Sequence, residues 1–371
     1  MAESEFDGGG GAPGKPDSAS GAAPASIPDG RCGHVATLEG IDGIGAVCCW
    51  RETWDDSERC RWHADGDVPR TAYADGEADP GERLDGAILR NAALTGADVL
   101  AGRSLVGADF TGAVLDHADL SGADLRRATF RDVDAHGATF AGATLHDSVF
   151  TFVDLRGADF EGAKLYRAGL TDVRVDLETE FGGAVYENEF EGREASESVA
   201  RYADSATWVY RELQRLYDEN ALPDQANDYY LREMELRRRG AWHLRNWRRA
   251  LTLEGSRLVT RYGTSPWRVI ATSAALILVC AALYPLTGGI QEVGADSAIT
   301  YRIEDPTDAP PWLLLETYFK GLYFSVTTFA TLGYGDMQPV GSLARIIAGV
   351  ETLLGSLLMA VLVFVLTRSI R

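Results

Sequence analysis

Lysine is almost missing from this sequence of 371 residues, which contains only Lys15, Lys164 and Lys320. Arginine therefore supplies 32 of the 35 basic residues (35 − 3), against 55 acidic ones, and the net charge is −20. A chain this acidic repels polyanions, so the composition argues against nonspecific binding of nucleic acid.

Further absences narrow the class of protein. The first 30 residues have no apolar core, so we expect no secretory signal peptide there. They are rich in Gly, Pro, Ala and Ser, which predicts a disordered acidic tail. No glycine-rich phosphate-binding loop stands out, and the Ser, His and carboxylate residues are scattered along the chain. We therefore do not expect an enzyme.

Cysteine is scarce as well, but four of the five cysteines lie in one short segment near the N-terminus. A segment of this size builds little core, and a cytoplasmic location disfavours disulfides, so a metal is the remaining way to stabilise it. The C-x-x-H sequence that ends in Cys60 and His63 suits two ligands of one tetrahedral ion. Cys32 and Cys49, or Cys48 in place of Cys49, would complete a zinc site with three cysteines and one histidine. Free thiols are the alternative.

A period of five residues runs through the middle of the chain, from about Leu84 to Val175. Each unit reads roughly A-(D/N)-(L/F)-x-x, and one extra residue follows the unit centred on Val99. A period of five fits neither the two-residue repeat of a strand nor the helical repeat of about 3.6 residues. It fits a square solenoid in which each unit makes one side, with the central Leu or Phe and the small residue before it pointing inward.

This pattern resembles the pentapeptide-repeat family, whose fold is a right-handed quadrilateral β-helix. The 19 units, at four per coil, would form nearly five coils, each packed only against its neighbours. Coils about 4.8 Å apart would build a rod about 20–25 Å tall. We expect this rod to be a spacer or a docking surface for an unknown protein partner rather than an acidic mimic of DNA.

After the repeats, apolar residues recur at helical spacing, among them Trp208, Leu213 and Leu216. Pro223 interrupts this pattern and is suited to the first turn of a following helix. The sequence therefore predicts a helical hairpin that links the repeats to the C-terminal part of the chain.

Two apolar segments near the C-terminus are long enough, or nearly so, to cross a bilayer, which takes about 20 mostly apolar residues. They run from Val269 to Leu286 and from Ile346 to Thr367, and only Glu351 places a charge in them. Between them lies the sequence Thr331-Leu332-Gly333-Tyr334-Gly335-Asp336. It resembles the selectivity filter of the potassium-channel family, and the resemblance covers roughly Trp267 to Arg371.

The resemblance implies a homotetramer, because one loop supplies only a quarter of the carbonyl cage that replaces the water shell of K⁺. It also implies that residues 331–334 contribute these carbonyls and that Asp336 lies at the outer mouth. Gly333 and Gly335 suit such a loop, since glycine reaches positive φ without steric cost. Potassium channels more often carry Val or Ile where Leu332 stands, which leaves a cation-nonselective pore as an alternative.

Two residues of the second apolar segment are candidates for gating. Gly355 lies 20 residues after Gly335, where similar channels place the hinge of the inner helix; space for helix packing is the alternative. Glu351 shares a helix face with Gly355. We expect Glu351 to pack behind the filter and to hydrogen-bond the pore helix, with Thr327 and Thr328 as candidate partners; solvation near the outer end of the span is the alternative.

Charge predicts the topology. Arginine is dense before the first apolar segment, whereas the loop between the two segments is acidic. The positive-inside rule then gives a multi-pass protein of the cell membrane with both termini in the cytoplasm. The crowded arginines favour contact with anionic lipid head groups. No apolar helix carries the arginine pattern of a voltage sensor, so we expect control from the N-terminal side, the filter or the lipid.

The sequence thus predicts a multidomain chain with a right-handed quadrilateral β-helix, an α-helical linker and an all-α, two-span membrane pore domain. Its predicted function is passive, selective K⁺ conduction; a membrane-tethered interaction protein is the alternative. The acidic, lysine-poor composition resembles that of proteins from salt-loving prokaryotes. The predicted boundaries are a tail at 1–29, a zinc-like module at 30–70, the β-helix at 82–192, the linker at 194–255 and the pore domain at 262–371, with span 1 at 267–287, pore helix and filter at 311–336 and span 2 at 343–367.

Overall fold

The computed structural model describes residues 29–37, 46–49, 51–53, 58–64, 83–182, 196–293, 298–303 and 310–369. The predicted disordered tail lies outside these ranges except for Asp29. The chain forms two compact units, Met1–Tyr229 and Tyr230–Arg371.

Residues 83–182 form a solenoid of parallel coils. Most bridges between coils join residues 20 positions apart, such as Asp124 and Thr144, so one coil takes four units of five residues. Three consecutive coils also pair as short parallel strands along one side. These are β3 (Thr129–Arg131), β4 (Val149–Thr151) and β5 (Gly169–Thr171), which follow β1 (Val35–Thr37) and β2 (Ala46–Cys48), an antiparallel pair in the N-terminal segment.

The interior of the solenoid is a stack of Leu and Phe side chains that are fully or almost fully buried. Phenylalanines one coil apart lie face to face, with ring centroids 4.5–4.8 Å apart. Each such pair adds about 0.5–1.5 kcal/mol beyond the burial of its area. Two ladders result, Phe110–Phe130–Phe150 and Phe140–Phe160–Phe181.

The register of the repeat differs from the sequence prediction at both ends. Leu100 is fully buried whereas Val99 is partly exposed, so the extra residue precedes the centre of the fourth unit. Val and Leu both satisfy the five-residue pattern, and the stacking of the coils decides which of them points inward. A second extra residue follows Val175 and turns Phe181 inward, which adds one unit to the 19 that the sequence predicts.

A helix closes the C-terminal end of the solenoid. This helix is α1 (Ser196–Glu219), and the residue after it, Asn220, accepts a hydrogen bond from the Val175 amide at 3.2 Å. On the same helix, the Tyr217 hydroxyl donates to the Thr179 carbonyl at 2.9 Å. Because the open edge of a sheet can template pairing with other chains, this helix protects the last coil from aggregation.

The predicted helical hairpin is wrong in its helix count, because a third helix follows the first two. After α2 (Pro223–His243) the chain forms α3 (Trp247–Thr260), whose first turn is capped by Asn246 through a hydrogen bond from the Arg249 amide. The arginine-rich sequence carries little hydrophobic periodicity, so this break was not visible in the pattern. Within α2, the Arg238 guanidinium lowers the pKa of the Glu235 carboxyl to about 2.

The C-terminal unit continues with three helices and a small antiparallel sheet. Two of the helices are long and apolar enough to cross a membrane, with a mean hydropathy of 2.2, and only 28% and 11% of their most apolar windows are buried within the chain. The elements are α4 (Pro266–Thr287), β6 (Ile290–Val293), β7 (Ala298–Tyr301), α5 (Pro311–Phe329), β8 (Met337–Pro339) and α6 (Ser342–Ser369). The sheet order is β7-β6-β8.

Candidate functional site

The loop of residues 331–336 starts directly after α5 and is anchored to its last turn. The Leu332 amide donates to the Thr327 carbonyl at 2.9 Å, and the Thr331 amide donates to the Thr328 carbonyl at 3.1 Å. These bonds use carbonyls that the end of a helix leaves without an intrahelical partner. The loop therefore continues from the C-terminal end of α5 in a fixed direction.

The far end of the loop is held by two contacts to Asp336. Its carbonyl accepts a hydrogen bond from the Val293 amide at 2.8 Å, and its carboxylate accepts one from the Tyr323 hydroxyl at 2.7 Å. Tyr323 is exposed on α5, and Val293 ends β6. Sequence reasoning named neither partner, because nothing in the sequence indicates which residues of α5 and β6 face the loop.

The backbone between these anchors needs glycine for its conformation rather than for space. Gly333 has a φ of 52° and Gly335 a φ of 79°, and a Cβ on either would meet no atom within 4 Å. Thr331 also has a positive φ, of 56°. Within the described residues, the carbonyls of residues 331–335 accept no hydrogen bond from the chain. Backbone carbonyl oxygens without a partner in the chain can serve as ligands for a cation that has lost its water shell.

Glu351 is fully buried, and its carboxyl group joins all three helices. One oxygen bonds the hydroxyl of Tyr284 on α4, and the other bonds the hydroxyl of Ser325 on α5. Ser325 also contacts the Ile277 carbonyl at 2.9 Å. A buried polar group of this kind is stable only when its hydrogen bonds are satisfied.

The partner predicted for Glu351 was wrong, although the helix was right. Thr327 donates to the Phe324 carbonyl of its own helix at 2.9 Å, and Ser325 takes the place that was predicted for Thr327 or Thr328. The alternative of a solvated Glu351 is also wrong, because the side chain has no exposed surface in the chain. The order of residues in α5 does not reveal which of its hydroxyls turns towards α6.

Gly355 lies one turn after Glu351 and against the end of α5. A Cβ at this position would be 2.5 Å from the Phe329 carbonyl oxygen, so the glycine provides space for helix packing. Gly321 plays the same role between α5 and α4, where a Cβ would be 2.5 Å from the Ala281 carbonyl oxygen. The hinge function of Gly355 stays a prediction.

A second group of polar side chains lies in the N-terminal unit. Cys32, Cys49, Cys60 and His63 are buried, and one ligand atom from each lies within 4.8 Å of the others. The Cys49 and Cys60 sulfurs are 3.7 Å apart. His63 Nδ1 is 3.3 Å from the Cys60 sulfur and 3.6 Å from that of Cys32. These four could hold a metal ion; the side chain of Cys48 is outside the described residues.

Comparison with known proteins relates the two parts of the chain to two kinds of family. Residues 290–371 match the ion channel family. Residues 99–132 match a family of pentapeptide repeats in eight copies, and residues 125–169 match one in nine copies. Among curated proteins, the comparison finds no match.

Solved structures similar to the chain include two pentapeptide repeat proteins. One, from the cyanobacterium Cyanothece 51142, is 27% identical over 25% of this chain and 63% of its own, with a TM-score of 0.25. Another, from the thylakoid lumen of Arabidopsis thaliana, is 34% identical over 23% of this chain and 62% of its own, with a TM-score of 0.20. The chain thus spans less than two thirds of either protein.

Proposed function

We propose that this chain, which joins pentapeptide repeats to a C-terminal ion-channel domain, forms a tetrameric channel that conducts K⁺ selectively. The observation that carries the proposal is the loop of residues 331–336, in which the carbonyls of residues 331–335 accept no hydrogen bond from the described residues. Four such loops around one axis would supply the cage of oxygens that replaces the hydration of K⁺. Selectivity would come from these backbone oxygens, so Leu332 would contribute its carbonyl as Val or Ile would.

The position of α5 supports a cation site beside the loop. The C-terminal end of a helix carries a partial negative charge of about half an elementary unit. In α5 this end is Phe329, and only the C-cap residue Ala330 separates it from the loop. Four helices pointing their C-terminal ends towards one axis would lower the energy of a cation there.

Exposure within the single chain supports assembly in a membrane. All six residues from 331 to 336 are exposed, including Leu332 and Tyr334. The candidate membrane helices α4 and α6 also expose large apolar side chains, such as Leu278 and Leu357. An exposed apolar surface of this extent needs lipid or other subunits to cover it.

The arginine-rich helix α3 supports the proposed topology, in which both termini lie in the cytoplasm of a multi-pass protein of the cell membrane. Trp247, Leu251 and Leu258 are exposed on this helix, which also carries Arg248 and Arg249. Exposed apolar side chains beside arginines are typical of helices that lie at the membrane surface on anionic lipid. In this topology the β-helix is cytoplasmic, and we assign it a regulatory or docking role and a right-handed, four-sided cross-section.

Ion flux tests the proposed function. Full-length protein reconstituted into liposomes is expected to pass K⁺ and Rb⁺ in preference to Na⁺, and Ba²⁺ is expected to block the flux. Equal K⁺ and Na⁺ flux would replace the proposal with a nonselective cation pore. Absence of flux from correctly inserted tetramers would favour a membrane-tethered interaction protein.

Replacing Glu351 tests its link between the helices. Glu351→Ala removes both hydrogen bonds and leaves the buried Tyr284 hydroxyl unsatisfied, at a cost of about 1–3 kcal/mol, whereas the Ser325 hydroxyl keeps its bond to the Ile277 carbonyl. We expect less tetramer after heating, by gel filtration, and an altered open probability. Glu351→Gln retains an acceptor for Tyr284 and a donor for Ser325, so it is expected to stay close to wild type in stability.

Thr352→Ala is the control for the two Glu351 variants, because the Thr352 hydroxyl donates within its own helix α6, to the Ala348 carbonyl at 2.8 Å. If Glu351→Ala were as stable as Thr352→Ala and had an unchanged open probability, the buried carboxyl group would have no role in holding the pore.

A further inference from the structure

Three separations within the cluster of Cys32, Cys49, Cys60 and His63 match those of a tetrahedral metal site. With zinc–sulfur bonds of about 2.3 Å and a zinc–nitrogen bond of about 2.0 Å, sulfurs lie about 3.8 Å apart and sulfur to nitrogen about 3.5 Å. The observed distances are 3.7 Å between two sulfurs, and 3.3 and 3.6 Å from sulfur to nitrogen. All four ligand atoms lie within 4.8 Å of one another, as the ligands of one ion must.

The ligand set favours zinc in a structural role. Three sulfurs and one imidazole nitrogen in a tetrahedral arrangement are typical of structural zinc. All four residues are at most 9% exposed, so water has no open coordination position of the kind that catalytic zinc keeps.

A disulfide and a purely hydrophobic core both fit the cluster less well than a metal does. The Cys49 and Cys60 sulfurs are 3.7 Å apart, against about 2.05 Å in a disulfide, and none of the three cysteines forms a disulfide. A hydrophobic core does not account for an imidazole ring placed among three sulfurs, because a buried ring nitrogen needs a polar partner. The described part of this segment contributes few further buried side chains, chiefly Trp62 and Ala64.

The second nitrogen of His63 supports the assignment independently. Nε2 lies 3.2 Å from the Asp85 carbonyl oxygen, which can only accept, so Nε2 carries the proton and donates it. Nδ1 then presents its lone pair to the sulfurs. This is the arrangement in which proteins orient histidine ligands of metals. An arginine, Arg51, also donates to the Cys49 sulfur at 3.5 Å, which stabilises negative charge on a thiolate.

The N-terminal segment that carries these four residues also covers the first coil of the solenoid. The Trp62 carbonyl accepts a hydrogen bond from the Ile88 amide at 2.7 Å, and Arg51 donates to the Arg83 carbonyl at 2.7 Å. Together with the bond from His63 to Asp85, these contacts occupy backbone groups at the open edge. We propose that Cys32, Cys49, Cys60 and His63 bind one structural Zn²⁺ ion, which holds the described residues of this segment (31–37, 46–49, 51–53 and 58–64) as a lid on the first coil of the β-helix.

Metal analysis of the full-length protein tests this site. We expect one zinc per chain by mass spectrometry of the metal content after purification in detergent. Cys32→Ala, Cys49→Ala and Cys60→Ala are each expected to lose this zinc. Cys48→Ala and Cys280→Ala are the matched controls and are expected to retain it, since Cys280 is a buried thiol of α4.

Two measurements on the wild-type chain do not depend on folding of the variants. Exchange of zinc for Co²⁺ is expected to produce the intense absorption of tetrahedral cobalt with thiolate ligands. Removal of zinc by a chelator is expected to open this lid to proteolysis and to lower the melting temperature of the β-helix, and restored zinc is expected to reverse both. Purified protein without zinc but with a protected lid would overturn the proposal, as would a disulfide between Cys49 and Cys60.

Discussion

Selective K⁺ flux is expected to disappear when Gly333 is replaced by alanine. Gly333 has a φ of 52°, and alanine in this left-handed region costs about 1–2 kcal/mol. Four subunits would each bear this cost at the same level of the filter, about 4–8 kcal/mol in total. The loop would relax to another conformation, and its carbonyls would turn away from the axis. Rb⁺ uptake into liposomes under an outward K⁺ gradient measures the loss.

Leu332→Val is the control, because the neighbouring position is proposed to contribute only its carbonyl. Gly333→Ala and Leu332→Val both alter the side-chain volume of the loop by a small amount, but only Gly333→Ala changes the preferred backbone conformation. We expect Leu332→Val to retain K⁺ over Na⁺ selectivity. Wild-type selectivity in Gly333→Ala tetramers would show that this loop does not select the ion.

Assembly of the channel is expected to fail or weaken strongly when Gly355 is replaced by alanine. The new Cβ would be 2.5 Å from the Phe329 carbonyl oxygen, and a backbone atom in a helix cannot move aside cheaply. Overpacking of this kind costs about 1–3 kcal/mol in each subunit. The displaced group is the last residue of α5, so the loop that follows would also shift. Heating followed by gel filtration measures the loss of tetramer.

Gly349→Ala supplies the matched comparison on the same helix. A Cβ there would meet nothing within 4 Å in the chain, and alanine is the better helix former by up to about 1 kcal/mol. Gly349→Ala is therefore expected to be neutral or stabilising. If Gly355→Ala assembled normally and changed only the open probability, the glycine would serve as a hinge rather than as a packing contact.

Much of the loop of residues 331–336 could be predicted from the sequence because its proposed chemistry lies in consecutive residues. The glycines of residues 331–336 indicate positive φ by their type alone, and Gly333 and Gly335 do have it. Partners of the loop could not be predicted in the same way. Tyr323 reaches Asp336 because α5 turns one face towards the loop. The rotation of a helix about its own axis cannot be read from its sequence.

In the β-helix, too, the sequence did not reveal contacts between distant residues. A repeat of five residues fixed which residue types point inward, but it could not place the extra residue before Leu100, since Val99 satisfies the pattern equally well. Hydrogen bonds to the coils above and below decide that choice, and they join residues about 20 positions apart. Contacts at the two ends, such as that of His63 with Asp85, connect segments that share no pattern at all.

The closed coil of four units has a consequence for how such a chain can change length. Insertion or deletion of any five residues would rotate everything beyond it by a quarter turn, and the closing helix α1 would meet the wrong side. An insertion or deletion of twenty residues keeps the relative orientation of the two ends and changes only the length of the solenoid, by about 4.8 Å. The length of the solenoid can therefore change only by whole coils if the segments that cover its two ends are to keep their contacts.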